Sequence, residues 1–514
     1  MTLNLPVFQK YAKWIFSGLG ISLLLWFLIV LFSKDLSIEG LDSAFAAVLG
    51  PISDWLFALV FYEFSLNQTP VQVIVLWMAL PMIILTVYFG FINFRGFGHA
   101  YDIIRGKFFD PKAPGEVSQA QALATALSGT VGIGNIAGVA FAISIGGPGA
   151  AFWMLLIGIM AMAVKFAECT LAVKYRIYNK DGTVSGGPMY YLSGGLKNRG
   201  WPTLGVILAV MYAAFTLPSI IQWVQINQAY SQFNAATGID AKLFFGIFIA
   251  VLTGFVIIGG IKSIAKVTIR LVPLMAAIYL LASLVILFHQ FTEIPAAIST
   301  IFLEAFDPQS VKGGIMGAII IGMRRAVYST EAGLGSSSIA HAAAKTKEPV
   351  SEGYVGLMEP FIDVMIGTIT ALIIVITGAY LQEGLGDIQM TSYAFATVIE
   401  WFPIVLAIAV FLFAFSTIIS WSYYLEKVWT FLFGGQKKSI IVFKTVFILM
   451  LIPGAVLTPE KVFNLMDSIF FLLAIPNIIG LYFMAPEIKA DLKDYLARLK
   501  AGKIPMTNTV TKKA

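Results

Sequence analysis

This sequence predicts an all-α polytopic membrane protein of about twelve transmembrane helices, with two five-helix halves forming an inverted repeat and two further helices at the N-terminal periphery. Three observations carry that prediction. The 514 residues are 58% apolar and only 12% charged, with a mean hydropathy of +0.85, far outside the range of soluble globular domains. The apolar residues collect into runs of about 20, the length that spans a hydrocarbon core as a helix. Two of those runs break into glycine and serine at a constant offset: Gly132 matches Gly333, Gly134 matches Gly335 and Pro148 matches Pro349, each pair 201 positions apart. Glycine inside a helix costs about 1 kcal/mol relative to alanine, and broken backbone persists at membrane depth only where protein or a water-filled cavity satisfies it. Paired breaks in the two halves of a chain therefore predict a transport site.

The runs fall at about 14–32, 74–93, 118–144, 149–174, 204–233, 243–260, 270–288, 313–344, 354–379, 392–432, 440–457 and 462–485. The segment 1–117 holds the peripheral helices, 118–288 the first five-helix repeat and 313–485 the second, in which the first and sixth core helices are discontinuous. An outer connection, 289–312, carries Glu293, Glu304, Asp307 and Lys312. Five is odd, so consecutive copies insert in opposite orientations about an axis in the membrane plane. A basic tail, 486–514, completes the chain.

Charge placement supports this threading, because loops rich in lysine and arginine stay cytoplasmic. With the N-terminus inside, Lys10, Lys13, Arg95, Arg105, Lys107, Lys174, Arg176, Lys262, Lys266, Lys437 and Lys438 all fall on the cytoplasmic side, as does the tail. No lysine or arginine occurs between Asp35 and Phe94, so 41–64 is expected to lie outside or dip into the outer face without crossing. Both termini are then cytoplasmic, in a multi-pass protein of the cell membrane. The net charge of +6 implies contact with anionic lipid of the bilayer rather than nucleic acid. The single cysteine, Cys169, excludes a disulfide framework and a cysteine-based metal site within the chain. The first run lacks a small-residue cleavage site after Phe32 and reads as a retained helix.

Five stretches carry a resemblance: 129–138; Gly146-Gly147-Pro148-Gly149; Lys165-Phe166-Ala167-Glu168; Gly186-Gly187-Pro188-Met189-Tyr190-Tyr191-Leu192; and Glu331-Ala332-Gly333-Leu334-Gly335-Ser336. In these the chain resembles the alanine or glycine:cation symporter family from about Trp77 to Glu487. The resemblance implies sodium- or proton-coupled uptake of small neutral amino acids on an inverted five-plus-five scaffold of the leucine-transporter type. Val131 to Asn135 also resembles the broken first core helix of neurotransmitter:sodium symporters. The sequence departs from the family pattern at Ala326, Thr330 and Val364.

A zwitterion entering a bilayer needs partners for both charges, since an unpaired buried ion costs several kcal/mol. Free N–H groups of Gly132, Ile133 and Gly134 head a half-helix and suit the carboxylate, and Asn135 adds an amide. Carbonyls left open at Ser128 to Val131, Thr130 among them, and on the Tyr328 to Glu331 side suit the ammonium or a cation, and Ser329 and Gly333 are further candidate substrate-binding residues. Ser416 and Thr417 offer adjacent hydroxyls. The resemblance places them opposite the Ser128 and Val131 carbonyls as a sodium site; bonding back to their own helix is the alternative. Gln225 is the expected polar wall of the pocket, with Gln222 as the alternative. Tyr328 and Trp421 resemble family positions that close over a small side chain.

Charges within spans are expensive and mark function. Arg324, Arg325 and Glu331 flank the second break and read as an internal ion pair or outer gate. Lys165 with Glu168, and Glu359 with Asp363, read as an inner gate or as static pairs. His341 reads as a hydrogen-bonded structural residue, with a protonation role as the alternative. The function expected is a secondary symporter coupling sodium, or a proton, to entry of alanine or glycine, with no enzymatic cofactor and no obligate protein partner. A glutamine carrier is the nearest alternative and an ion channel a more distant one. No Ser-Lys, paired-Asp or His-Glu-x-x-His arrangement suggests an enzyme.

Overall fold

The structure, a computed structural model, describes residues 38–66, 69–307, 314–382, 384–385, 387–457 and 459–507. The expected span 14–32, with Lys10, Lys13, Lys312, Lys512 and Lys513, lies outside them. Helix α1 (Ile38–Val60) opens the described chain, but its apolar part, Ala47–Val60, is about 20 Å long and too short to cross the hydrocarbon core alone. Strands β1 (Glu63–Leu66) and β2 (Thr69–Gln72) fold back as an antiparallel hairpin into α2 (Val73–Tyr88). Thus 41–64 is a helix plus a hairpin strand.

The first broken helix starts at a cap written in sequence. Ser118 Oγ accepts from Gln121 N, and Gln121 Oε1 accepts from Ser118 N, closing a capping box on α3 (Gln119–Thr130). Val131 and Gly132 then leave helical geometry. A single 3₁₀ turn, Ile133–Asn135, leads into α4 (Ala137–Gly146), and the two legs meet at 62°. Next come α5 (Gly149–Lys174), the hairpin of β3 (Ile177–Tyr178) and β4 (Val184–Ser185), and α6 (Pro188–Asn198). The two hairpins depart from an all-α chain because both sit in polar connections; the second is turned by Asp181 and Gly182, the latter at φ +80°.

Helices α7 (Pro202–Thr216), α8 (Trp223–Thr237), α9 (Lys242–Ile257) and α10 (Gly260–His289) follow, with Pro218 and a non-helical Ile221 splitting the expected span 204–233. After α11 (Ile294–Glu304), α12 (Gly314–Thr330) carries the second break. Glu331 at φ +51°, Gly333 at +90° and Gly335 at +73° take the chain through left-handed backbone before one turn, α13 (Ser338–His341), restores a helix. Then come α14 (Pro349–Gly356), α15 (Met358–Ile376), α16 (Asp387–Ala396), α17 (Phe402–Phe433), α18 (Lys437–Leu451) and α19 (Pro459–Lys500). The expected span 392–432 is really two helices, because the chain turns between Thr397 and Trp401 and restarts with Pro403 in the first turn. Helix α19 runs well past 485, on to Lys500.

Among the described residues, seven helices are long and apolar enough to cross a membrane, or eight with the bent α3–α4 pair counted as one span. Their outer faces are apolar: Phe255, Ile258, Leu281 and Phe288 of α9, α10 and the turn between them are all largely exposed, as a lipid-facing surface requires. The broken helices lie inside, with α3 and α4 flanked by α10, α12, α16 and α17, while α12 packs along α5.

Gly335 is fixed both by its φ and by space, since a Cβ there would lie 2.5 Å from Pro188 Cγ and 3.0 Å from the Tyr191 hydroxyl. Gly335→Ala is expected to destabilise the protein by about 2 kcal/mol or more, read as a lower midpoint in a thermal scan of detergent-solubilised protein. An unchanged midpoint would show that the second break relaxes freely.

Candidate functional site

A cavity of about 460 Å³ opens beside the first break. Ile133, Gly134, Gln225 and Tyr328, all predicted site residues, line it together with Ala137, Phe141, Val224, Arg324, Arg325, Asn464 and Asp467. At its inner end, α3, α8 and α17 converge on Gly132, where a Cβ would lie 2.8 Å from Thr417 Oγ1 and 3.6 Å from Gln225 Oε1. Both oxygens are buried and have no hydrogen-bond partner among the described residues. Gln222, the alternative ligand, instead donates to its own chain at Ser219 O, 2.7 Å away.

Ser128 and Ser416 lie together where the resemblance set a sodium site, but their hydroxyls are already engaged, Ser416 in the back-bond that was the alternative. Ser128 Oγ donates to Ser416 O at 2.6 Å, Ser420 Oγ donates to Ser128 Oγ at 2.9 Å, and Ser416 Oγ bonds back to Phe413 O at 2.9 Å. Ser416 Oγ also lies 3.3 Å from Ser128 O. Val131 is buried on the same helix end. The free hydroxyl of the predicted pair is therefore that of Thr417. Thr130 Oγ1 bonds back to Ala126 O at 3.2 Å.

The two breaks touch through Asn135 and Ser329. Ser329 Oγ contacts Asn135 Oδ1 and donates to Asp363 Oδ2 at 2.7 Å. Asp363 therefore belongs to this crossing, not to a pair with Glu359: one helical turn along α15 separates the two carboxylates onto different neighbours. Gly333 lies beyond the crossing, its N–H donating to Glu168 Oε1 at 3.0 Å and its carbonyl accepting from Asn477 Nδ2 at 2.8 Å. Trp421 stacks on Phe470 at 5.0 Å between ring centres, and Phe470 in turn meets Tyr328 at 5.9 Å.

At the cavity mouth, Arg324 and Arg325 approach Asp467 at 3.3 Å and 3.9 Å. Their guanidinium groups lie over Phe61 and Phe141, 4.4 Å and 4.2 Å from the ring centres. The ion pair expected between these arginines and Glu331 is not made. The left-handed turn at Glu331 aims its carboxylate at Ser336 instead. Asp467 and Asn464 were missed in the sequence. An acid inside an apolar run was signal enough for Asp467, whereas Phe470 looked like any other core aromatic.

The far side of the crossing is closed and charged. Lys165 Nζ pairs with Glu359 Oε2 at 3.1 Å and donates to Ser337 Oγ at 2.6 Å, both side chains being fully buried. Glu168 does not join that pair, because it serves Gly333 and Asn477. Below this lies a residue that sequence reasoning treated only as a basic anchor. Buried Arg176 donates to four backbone carbonyls: Ala342 at 2.9 Å, Ala344 at 2.6 Å, Thr346 at 2.6 Å and Pro114 at 2.9 Å. The strand-like contact of 116–117 with 343–345 lies alongside. No periodicity marks such a residue, since its partners are main-chain atoms of two distant loops.

The sequence model of the sodium:alanine symporter family matches residues 57–509. The sodium/alanine symporter AgcS of Methanococcus maripaludis is 39% identical over 80% of this chain and 92% of its own length. An uncharacterized transporter of Haemophilus influenzae is 38% identical over 81% and 91%, and the probable sodium/glutamine symporter GlnT of Bacillus subtilis is 34% identical over 77% and 82%. The crystal structure of MhsT in complex with L-phenylalanine superposes with a TM-score of 0.52 at 18% identity, covering 71% of this chain and 88% of that one, and so shares the fold. A glycine-broken helix pair, a cavity beside it that charged and polar side chains help to line, and a family match along nearly the whole chain lead to one conclusion: the chain belongs to the sodium:alanine symporter family.

Proposed function

We propose that this protein couples sodium entry to uptake of a small neutral amino acid, alanine or glycine, by alternating access. The observation that carries the reading is the convergence of Gln225 Oε1 and Thr417 Oγ1, both buried and unpartnered, on the unwound backbone at Gly132 beside the cavity. A buried unpaired polar atom costs about 1–3 kcal/mol, and two of them meeting at unwound backbone beside a cavity suit the polar groups of a small ligand. Gly132, Ile133 and Gly134 take the carboxylate, and Gln225 and Tyr328 wall the pocket. Trp421 and Phe470 limit the side chain. Sodium sits between Thr417, Ser416 and the carbonyls of Ser128 and Val131. Its inward charge movement gains about 2.3 kcal/mol per 100 mV. Asp363, held by Ser329 beside Asn135, puts a carboxyl group at the crossing of the two breaks, where its oxygens can accept from the ammonium or coordinate the cation.

In this reading the two halves are inverted copies and the basic loops are cytoplasmic. Arg324, Arg325 and Asp467 then form the outer gate of a cavity open to the outside. Lys165, Glu168, Glu331 and Glu359 form the inner one, with Arg176 beneath it. The cavity volume supports a second reading, uptake of glutamine, because about 460 Å³ leaves room for a longer amide side chain near Asn464.

Radiolabelled alanine, glycine and glutamine, offered to proteoliposomes with and without a sodium gradient, test the proposal directly. Concentration of alanine or glycine that collapses without sodium is expected; equal uptake without sodium would end the coupling claim. Gln225→Leu keeps the volume and removes the free oxygen, so the alanine KM is expected to rise about tenfold, equivalent to about 1.4 kcal/mol. Asn135→Ala should abolish uptake while the protein still elutes as a folded species, and unaltered alanine affinity would remove this residue from the site. Thr417→Val should raise the sodium concentration for half-maximal uptake about tenfold, with little change in alanine KM at saturating sodium. A matching shift in both would assign Thr417 to the amino acid instead.

A further inference from the structure

The one-turn helix after the second break carries His341, which is fully buried and meets a carboxylate at each ring nitrogen. Nδ1 lies 2.6 Å from Glu352 Oε1, and Nε2 lies 2.6 Å from Glu359 Oε1. An ionised carboxylate only accepts, so each contact needs a proton between its two atoms, and a neutral imidazole has one N–H. The three side chains therefore hold one proton more than a neutral histidine and two carboxylates, whether as an imidazolium or as one protonated acid. The hydrogen-bonded chain Lys165–Glu359–His341–Glu352 is neutral with that proton and carries one net negative charge without it, a burial that costs several kcal/mol.

Most of the surrounding groups are committed elsewhere, and the one that touches the ring, the Cys169 thiol, is a weak acid whose loss of a proton would leave a buried thiolate in place of a buried carboxylate charge. From α5, Glu168 faces Gly333 and Asn477, and Cys169 lies beside the ring. In the unwound segment Glu331 faces Ser336. From α3, Gln119 Nε2 donates to Glu352 Oε2 at 2.9 Å. From α17 the Tyr424 hydroxyl is on Thr125 O, and from α6 Tyr191 is on Asn477. Beyond α14, His99 bonds Tyr495 at 2.8 Å, and Arg498 bonds Glu348 at 2.6 and 2.7 Å. The segment immediately after His341 is the one whose carbonyls Arg176 clasps. The ring and its two carboxylates can therefore part only as that side of the protein opens, and the water reaching them then comes from that side.

We propose that the His341–Glu352–Glu359 triad is a proton-binding site filled from water on the Arg176 side, and that closing this side takes up the proton. The inference rests on the alternating-access reading above. Uptake of hydrogen ions and release to the same side makes the site a brake set by pH on that side, with no net proton transport. Low pH holds the side shut and high pH lets it open.

Hydrogen–deuterium exchange of the full-length protein in lipid nanodiscs, followed at 338–347 and corrected for intrinsic exchange, reads the opening. A free imidazole titrates near pH 6.5, so above that the open state lacks the proton, and protection is expected to fall about tenfold per pH unit between about pH 7 and 9. Below about pH 6 it should level off. Glu352→Gln is the decisive variant. Its amide N–H can donate to Nδ1 of a neutral imidazole while its carbonyl accepts from Gln119, so every hydrogen bond survives without the extra proton. That variant should stay protected and show no slope. Wild-type protection that does not change between pH 7 and 9, or an equal slope in Glu352→Gln, overturns the proposal. Radiolabelled alanine uptake by the same purified protein, reconstituted in proteoliposomes, separates the two readings: a flat exchange profile with sodium-driven uptake defeats only the proton site, and a sloped profile without uptake defeats only the transport reading.

Discussion

Backbone that leaves a helix within an apolar interior must find partners for its N–H and C=O groups, and this requirement organises the rest of the protein. The second break shows how. Its left-handed turns free the polar groups of Gly333, which are met by the carboxylate of Glu168 and the amide of Asn477. Downstream, the carbonyls of Ala342, Ala344 and Thr346 have lost their helical donors and are gathered by one guanidinium, Arg176. Five donors in a rigid fork make arginine the side chain that can do this. Each such solution brings a charge into the interior, and each charge then needs its own partner. Lys165, Glu359, His341 and Glu352 form one chain of that kind, running between helices of both halves.

The two breaks are not treated alike. At the first, the 3₁₀ turn keeps some local hydrogen bonding, and the nearby side-chain oxygens of Gln225 and Thr417 stay unpartnered beside a cavity. At the second, the protein supplies partners from its own side chains on the closed side. One break is thus left able to receive a small polar molecule, and the other is fastened to the walls. The contact between them, Asn135 with Ser329 and Asp363, is short and fully buried. Movement at either break therefore bears on the other through a few atoms.

Much of this was legible in the chain. Paired glycines at a constant offset fixed where the helices break, and apolar runs fixed most helices, because both signals are local. Gly132, Gly134 and Gln225 were read from the broken helix and its neighbour, and Tyr328 and Thr417 from the resemblance; Gly134, Gln225 and Tyr328 line one cavity, and Thr417 and Gln225 meet at Gly132. The charged partners were harder. Arg324, Arg325 and Glu331 read as an internal ion pair or an outer gate, but a positive φ at Glu331 turns its carboxylate away, and the arginines pair with Asp467 of the last helix instead. Asp363 was grouped with Glu359 by helical spacing, although their neighbours differ. Arg176 left no trace in a pattern of side chains because it answers to carbonyls. Pairing across a fold is a property of three-dimensional neighbours, and a single sequence shows only which charges must find one.

The closed side also explains why its charges are arranged as a connected chain. An isolated pair can be opened by one thermal fluctuation of a side chain, leaving each ion to water. Here Lys165 holds Glu359 and Ser337, Glu359 holds His341, His341 holds Glu352, and Glu352 holds Gln119 at the start of the first broken helix. Separating any one link strands charge on the next while the rest stay buried, so the links are favoured to open together or not at all. Cooperativity of that kind is what a two-state carrier needs. In the proposed alternating-access cycle, a side that opened piecemeal would let water and ions pass the crossing of the breaks while the cavity was still open, and a gradient driving uptake would leak away.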